Sequence, residues 1–206
     1  NKTKKGDENM AEIKSTGDPY VLNVQKWVNK TYSGRTGYSV ITEDGYTGWG
    51  TIFALLHGLQ ITLGVGSTAD NFGSGTESAF KSYISKNGAI KEKDTEELSK
   101  TRKEINGIIQ SALLCKGYSI GATGPTEQFY FGTGSAIKKL KSDAGIDNST
   151  TEVTLNLMKA LLSMDYFYSY DTSSKTKKIQ KMQRYLNANY EKYIGLKPCD
   201  GIYSRS

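Results

Sequence analysis

A chain of 206 residues with 36% hydrophobic and 23% charged side chains can bury a core in one or two domains, which excludes disorder across most of its length. No run approaches the roughly 18 to 20 apolar residues of a membrane span, and nothing at the start has the charged, apolar and small-residue order of a signal peptide, so the sequence reads as soluble, with any export signal removed or lying outside it. The net charge is +6, and residues 171–206 hold eight Lys or Arg against three Asp or Glu; that end draws polyanions, either nucleic acid, for which no groove-reading motif is present, or phosphate-bearing wall polymers, or is simply a solvated helix face.

Residues 1–18 carry mixed charge without periodicity and read as a flexible tail. From Asp18-Pro19 onward, Val21, Val24, Val28 and Tyr32 recur at helical intervals, and Ser33-Gly34 with Gly37 stops that helix. A loop leads to Asp44-Gly45. Ile52, Leu55, Leu56, Leu59 and Leu63 then mark an apolar helix, with Gly64 placed as its left-handed cap. A second turn, Asp70-Asn71-Phe72-Gly73, precedes a helix bearing Thr76, Ala79, Phe80 and Tyr83.

The charge-rich stretches Lys91–Glu97 and Lys100–Glu104 read as an exposed helical linker. Ile105, Ile108, Ile109, Ala112 and Leu113 form the next stripe, ended by Gly117. A Gly-rich stretch from Gly121 to Gly134, with Phe129, Tyr130 and Phe131, feeds a helix with Ala136, Ile137 and Leu140, closed at Gly145. Ser149 and Glu152 have the spacing of a capping box for a helix with Val153, Leu157, Met158 and Leu161. After a polar loop, Ile179, Met182, Leu186 and Tyr190 mark a last helix, whose stripe has to dock on the preceding unit or on another chain to stay ordered. Sustained period-2 alternation is absent, so the fold class is all-α.

Part of this order is written twice. Gln25-Lys26-Trp27-Val28-Asn29 leads through Tyr32 to Asp44-Gly45-Tyr46-Thr47-Gly48, and Gln183-Arg184-Tyr185-Leu186-Asn187 leads through Tyr190 to Asp200-Gly201-Ile202-Tyr203-Ser204. Gln110 heads a diverged copy in which Thr123-Gly124 stands for Asp-Gly. Phe72-Gly73-Ser74-Gly75 echoes Phe131-Gly132-Thr133-Gly134, as if one turn fed one short helix. Repetition of a packing unit points to a binding or scaffolding array rather than to one reaction centre.

The order of helix, Asp-Gly-aromatic-x-Gly turn, apolar helix, second Gly turn and short helix resembles the peptidoglycan-binding repeat. The likeness is greatest to the repeat regions of Gram-positive secreted proteins that also carry a glycoside-hydrolase-like domain. It rests on Asp44-Gly45-Tyr46-Thr47-Gly48-Trp49-Gly50-Thr51 and on Pro198-Cys199-Asp200-Gly201-Ile202-Tyr203. The resemblance implies tandem three-helix modules at 19–85 and 105–166, linkers at 86–104 and 167–178, and the first half of a third module at 179–206, open to self-association. It also implies secretion, association with the cell wall, and noncatalytic binding of peptidoglycan or a related wall glycan, without cofactor and without nucleic acid.

Asp44, Tyr46, Trp49, Phe72 and Tyr130 are the ligand-binding candidates, because an aromatic beside a Gly turn either covers helix ends or offers a flat face to a sugar ring. Gly45, Gly48 and Asp44 equally suit a purely structural turn, and Trp27 reads as core. The alternative is a wall glycoside hydrolase using two carboxylates among Glu43, Asp44, Asp70 and Glu77, though nothing in the sequence pairs them. Cys115 and Cys199 share no ligand spacing and read as inert thiols, with a single long-range disulfide as the other option. His57, the lone histidine, reads as a packed or rim residue, which excludes a zinc site built on several histidines.

Overall fold

The computed structural model describes residues 17–92 and 97–203. Most of the expected tail, the middle of the expected charged linker and the last three residues lie outside the described residues. Those described form helices α1 (Pro19–Tyr32), α2 (Trp49–Thr62), α3 (Ser74–Asn87), α4 (Lys100–Cys115), α5 (Phe131–Ala144), α6 (Leu155–Leu161) and α7 (Ser174–Ile194). No strand occurs among them.

The helix ends have local causes. Asp18 Oδ1 accepts the Tyr20 amide at 2.7 Å while Pro19 opens α1, so the first turn is capped and pre-set in φ. Gly64, Gly117 and Gly145 all take positive φ, and each is followed by an amide that bonds back to the helix, as Val65 does to the Gln60 carbonyl at 2.9 Å. The expected capping box at Ser149 and Glu152 does not form. Thr154 caps α6 by accepting the Leu157 amide at 3.2 Å, while Ser149 folds onto Asp147, whose Oδ1 accepts its amide at 2.9 Å. A nearby Asp offers Ser149 a local bond that competes with capping.

Helix α4 is the centre of the molecule. It packs against α1, α2, α5 and α6, while α3 meets α6 and α7 meets α5. Two glycines let aromatic side chains of α1 approach: a Cβ on Gly107 of α4 would lie 2.2 Å from the Trp27 ring, and one on Gly58 of α2 would lie 2.8 Å from the Tyr32 ring. Apolar side chains of both repeat units therefore share one continuous core.

Two residues at the ends of the charged region, Ile90 and Glu104, are buried. The Ile90 carbonyl accepts the Val153 amide at 2.8 Å. Glu104, buried in the first turns of α4, receives both Arg35 Nη1 at 3.0 Å and Nη2 at 2.5 Å, and Thr62 Oγ1 donates to it at 2.8 Å. Its carboxyl sits below the usual range because these donors outweigh the opposing effect of burial.

Helix α7 docks in a way its stripe does not announce. Arg184 Nε donates to the Asp143 carbonyl at 2.8 Å and Asn187 Nδ2 to the Ala144 carbonyl at 2.9 Å, at the end of α5. The polar side of α7 holds it to the body, and Met182, Leu186 and Tyr190 face away.

Candidate functional site

One device recurs through the molecule: a glutamine on a helix clamps the turn that follows. Gln25 of α1 accepts the amides of Asp44 at 2.9 Å and Gly45 at 2.8 Å through Oε1. Its Nε2 donates to Asp44 Oδ1 at 2.9 Å, the Tyr46 carbonyl at 3.2 Å and Thr51 Oγ1 in the first turn of α2 at 3.1 Å. Each polar atom of a buried amide is thereby satisfied. One turn further along α1, Asn29 pairs with both the amide and the carbonyl of Ile41, at 3.0 and 2.9 Å, and so holds the approach to the turn.

Gln110 of α4 repeats this clamp on other residues. It accepts the amides of Thr126 at 2.8 Å and Glu127 at 2.9 Å, and donates to Thr126 Oγ1, the Gln128 carbonyl and Thr133 Oγ1 of α5. The counterpart of Asp44-Gly45 is therefore Thr126-Glu127, not Thr123-Gly124. Glu127 holds φ of +63°, where Gly45 and Gly201 have +76° and +77°. A non-glycine residue there costs about 1 to 2 kcal/mol, and Glu127 has a compensating bond, since its carboxylate accepts the Trp27 indole N–H at 3.0 Å.

Gln183 of α7 accepts the Gly201 amide and donates to Asp200 Oδ1 and the Ile202 carbonyl. Asn187 pairs with both backbone atoms of Lys197, as Asn29 does with Ile41. Gln60 of α2 clamps the turn before α3, accepting from Ala69 and donating to the Ala69 and Asn71 carbonyls and Thr76 Oγ1. This last clamp went unrecognised in the sequence because its turn has no Asp-Gly. The signal that finds it is the tripeptide opening each receiving helix: Trp49-Gly50-Thr51, Ser74-Gly75-Thr76 and Phe131-Gly132-Thr133. That alignment also shifts the Phe72/Phe131 echo by two residues, because Phe131 opens α5 while Phe72 precedes α3.

The receiving helices share a further property. Asp18, Ser99, Thr154 and Ser173 cap α1, α4, α6 and α7 with a side chain, whereas α2, α3 and α5 begin at Gly48, Gly73 and Tyr130 without a side-chain cap. Their first turns are fixed instead by the glutamine grip on the threonine. Two of them carry an exposed aromatic as first residue: Trp49 is 55% exposed and Phe131 77%. Trp49 is stacked on Phe53 at 5.2 Å between ring centroids, so the platform is two rings deep.

Of the residues singled out from the sequence, Asp44, Tyr46 and Trp49 lie on this first turn. Asp44 is a fastener whose carboxylate is held below the usual range by the Tyr46 amide and then by Gln25. Tyr46 and Trp49 are exposed, Phe72 is half-buried against the core, and Tyr130 is exposed at the start of α5. Tyr130 also lines a separate cleft of about 160 Å³ with Tyr83, Arg102 and Asn106. Phe131, which occupies in α5 the place Trp49 has in α2, was absent from the sequence-derived set.

Glu43, Asp44 and Glu77 are each bonded to structural partners, and Asp70 lies beside His57. Glu43 accepts from Asn29 at 3.0 Å, and Glu77 pairs with Lys159 at 2.7 Å, which pulls its carboxyl down. A general acid needs the opposite shift. Asp70 Oδ1 lies 2.9 Å from His57 Nε2, off the line a good hydrogen bond requires. Cys115 and Cys199 are free and buried, and burial raises their thiols to about 11 and about 12. No group of three or more His, Cys, Asp or Glu able to hold a metal occurs among the described residues, and no described helix is long and apolar enough to cross a membrane.

Among the described residues, fold and site together define an all-helical protein in which helix-borne glutamines fix the turns that follow, with aromatic rings exposed at the starts of α2 and α5. Residues 14–91, which include α1 to α3, match a family described as the FadG/YbfG, PGDB-like domain, where PGDB stands for peptidoglycan-binding-like. Two proteins of Bacillus subtilis (strain 168) are similar over most of the chain. Uncharacterized protein YbfG is 42% identical over 188 residues, covering 91% of this chain and 24% of YbfG. Uncharacterized protein FadG is 38% identical over 190 residues, covering 91% of this chain and 31% of FadG. The chain thus spans about a quarter to a third of the length of these relatives. No solved structure matches it.

Proposed function

We propose that the chain is a noncatalytic binding region for bacterial cell-wall peptidoglycan or a related wall glycan, acting within a larger secreted, wall-associated protein. The observation that carries this reading is the exposed aromatic at the first residue of both α2 and α5, each behind a glutamine-clamped turn. An exposed ring on a loose loop loses affinity to ordering on binding; one held by five hydrogen bonds at its base is already placed. Tyr46, exposed three residues before Trp49, adds a second aromatic surface suited to a sugar or stem peptide. The peptidoglycan-binding-like family match over α1 to α3 supports the same ligand class. The lysines of α7 add an electrostatic draw toward anionic wall polymers.

Purified wall sacculi test this reading. Trp49→Ala should weaken retention while leaving the helical circular dichroism unchanged, and raising salt from low to about 0.15 M should remove only the smaller share that the α7 lysines contribute, because stacking is not screened as charge is. A turbidity assay run beside it should show no lysis. Binding that survives Trp49→Ala, collapses with salt and disappears when the α7 lysines are neutralised would replace this reading with electrostatic attachment.

A further inference from the structure

Helices α1 and α7 carry equivalent residues at one constant offset along the chain. Val21, Val24, Gln25, Trp27, Val28, Asn29 and Tyr32 correspond in order to Ile179, Met182, Gln183, Tyr185, Leu186, Asn187 and Tyr190. Their surroundings are opposite. Val24, Val28 and Tyr32 are 0% exposed beneath α2 and α4, whereas Met182, Leu186 and Tyr190 are 59%, 38% and 45% exposed. Beside them Pro198, Ile202 and Tyr203 complete an apolar groove of about 110 Å³.

The glutamines tell the same story. Gln25 and Gln110 each reach three acceptors: a side-chain oxygen of the turn, a backbone carbonyl, and the threonine of the next helix. Gln183 has the first two in the same order, Asp200 Oδ1 at 3.0 Å and the Ile202 carbonyl at 3.1 Å.

We propose that the α7 stripe is the seat for one more helix of the α2 and α5 kind. It is an apolar helix carried by the same polypeptide after the Asp200-Gly201 turn, with a threonine directly after Arg205-Ser206, which stand where α2 has Trp49-Gly50. Its threonine takes the third bond of Gln183, and its apolar side covers Met182 and Leu186. The greater length of the relatives leaves room for such a segment. A freely diffusing partner would have to find by collision a register that the spacing from Tyr46 to Thr51 sets through the chain itself. The inference rests on the internal repeat and is independent of which ligand the aromatics bind.

The probe is a copy of residues 51–64 joined directly to Ser206, which places its threonine at the spacing Thr51 has from Tyr46. The original chain should bind a hydrophobic dye at α7, a signal that Met182→Ser with Leu186→Ser removes without changing the melting temperature. The extended chain should lose that dye binding, and amide exchange over 179–190 should slow by about tenfold or more. Replacing the added threonine by Val should return part of the exchange. Unchanged exchange and dye binding on extension would overturn the proposal. So would a concentration-dependent dimer of the original chain that already hides the stripe, since a second copy would then be the occupant.

Discussion

The turn before α2 is closed by Asp44 and Gly45, and the turn before α5 by Thr126 and Glu127, yet both hang from one glutamine through corresponding atoms. The difference teaches where the geometry resides. At the first position of these two turns Asp or Thr supplies a side-chain oxygen, whereas Ala69 under Gln60 has none and offers its carbonyl instead. At the second position these two turns take a left-handed backbone, which Gly adopts freely and Glu127 holds with help from Trp27. The glutamine, buried and fully bonded in both, is the part without a substitute.

Removing it should give the largest effect. Gln110→Leu removes five hydrogen bonds, to the amides of Thr126 and Glu127, the Gln128 carbonyl and two threonine hydroxyls; with Thr133 buried and the turn atoms partly open to water, a loss of roughly 3 kcal/mol is expected in urea unfolding. Gln25→Leu should cost a similar amount, about 3 kcal/mol, because Gly45 and Thr51 are buried while Asp44 reaches solvent. Equal and negligible losses would mean that the clamps are incidental.

Alkaline pH should sharpen the contrast between units. Burial raises the Cys115 thiol to about 11 and pushes the Tyr118 hydroxyl further up, beside Asp143. Both groups stay protonated in the fold at pH values where the unfolded chain ionises them. The stability they contribute is complete below their ordinary values, near 9 and 10, and is lost as pH rises beyond those. Lys116 acts in the opposite sense. Burial lowers it to about 8 while its ammonium donates to the Ser163 and Asp165 carbonyls at 2.6 Å. The unfolded chain keeps that proton to about 10.5, so this residue favours the fold increasingly between pH 8 and 10.5. Urea midpoints should therefore change little from pH 8 to 9 and fall beyond 10, whereas Lys116→Met should begin to fall earlier. Identical profiles for the two proteins would show that Lys116 is not titrating where its burial places it.

Substitutions in the turns themselves should be milder and unequal. Gly45→Ala places a Cβ 2.8 Å from the Gly17 carbonyl carbon at φ of +76°, so strain and backbone contact together should cost about 2 kcal/mol. Glu127→Gly relieves strain but loses the Trp27 bond, and the two nearly offset, leaving stability within about 1 kcal/mol of the parent. A larger loss at Glu127 than at Gly45, measured by thermal unfolding, would reverse the assignment of geometry to the glutamine.

Helices were the most legible feature of the sequence, because stripes such as Ile52, Leu55, Leu56 and Leu59 and stops such as Gly64, Gly117 and Gly145 are short-range signals. The clamps were half legible. Gln25 and Gln183 stood out beside Asp-Gly, while the turn held by Gln110 was sought at Thr123-Gly124 because a positive φ without glycine is uncommon. Glu104 looked solvated within a charged run, since its partner Arg35 lies 69 residues away. Phe131 was passed over for its neighbour Tyr130, because only the position of Thr133 fixes where α5 begins.

The account's central claim is that Trp49 and Phe131 are one binding device presented twice. Retention on wall sacculi of Trp49→Ala, Phe131→Ala and the double variant, each with helical circular dichroism intact, tests it most directly. The account predicts a several-fold weakening from either single change and a loss in the double at least as large as the product of the two, since linked sites reinforce one another. A double variant that binds as the parent does would contradict it.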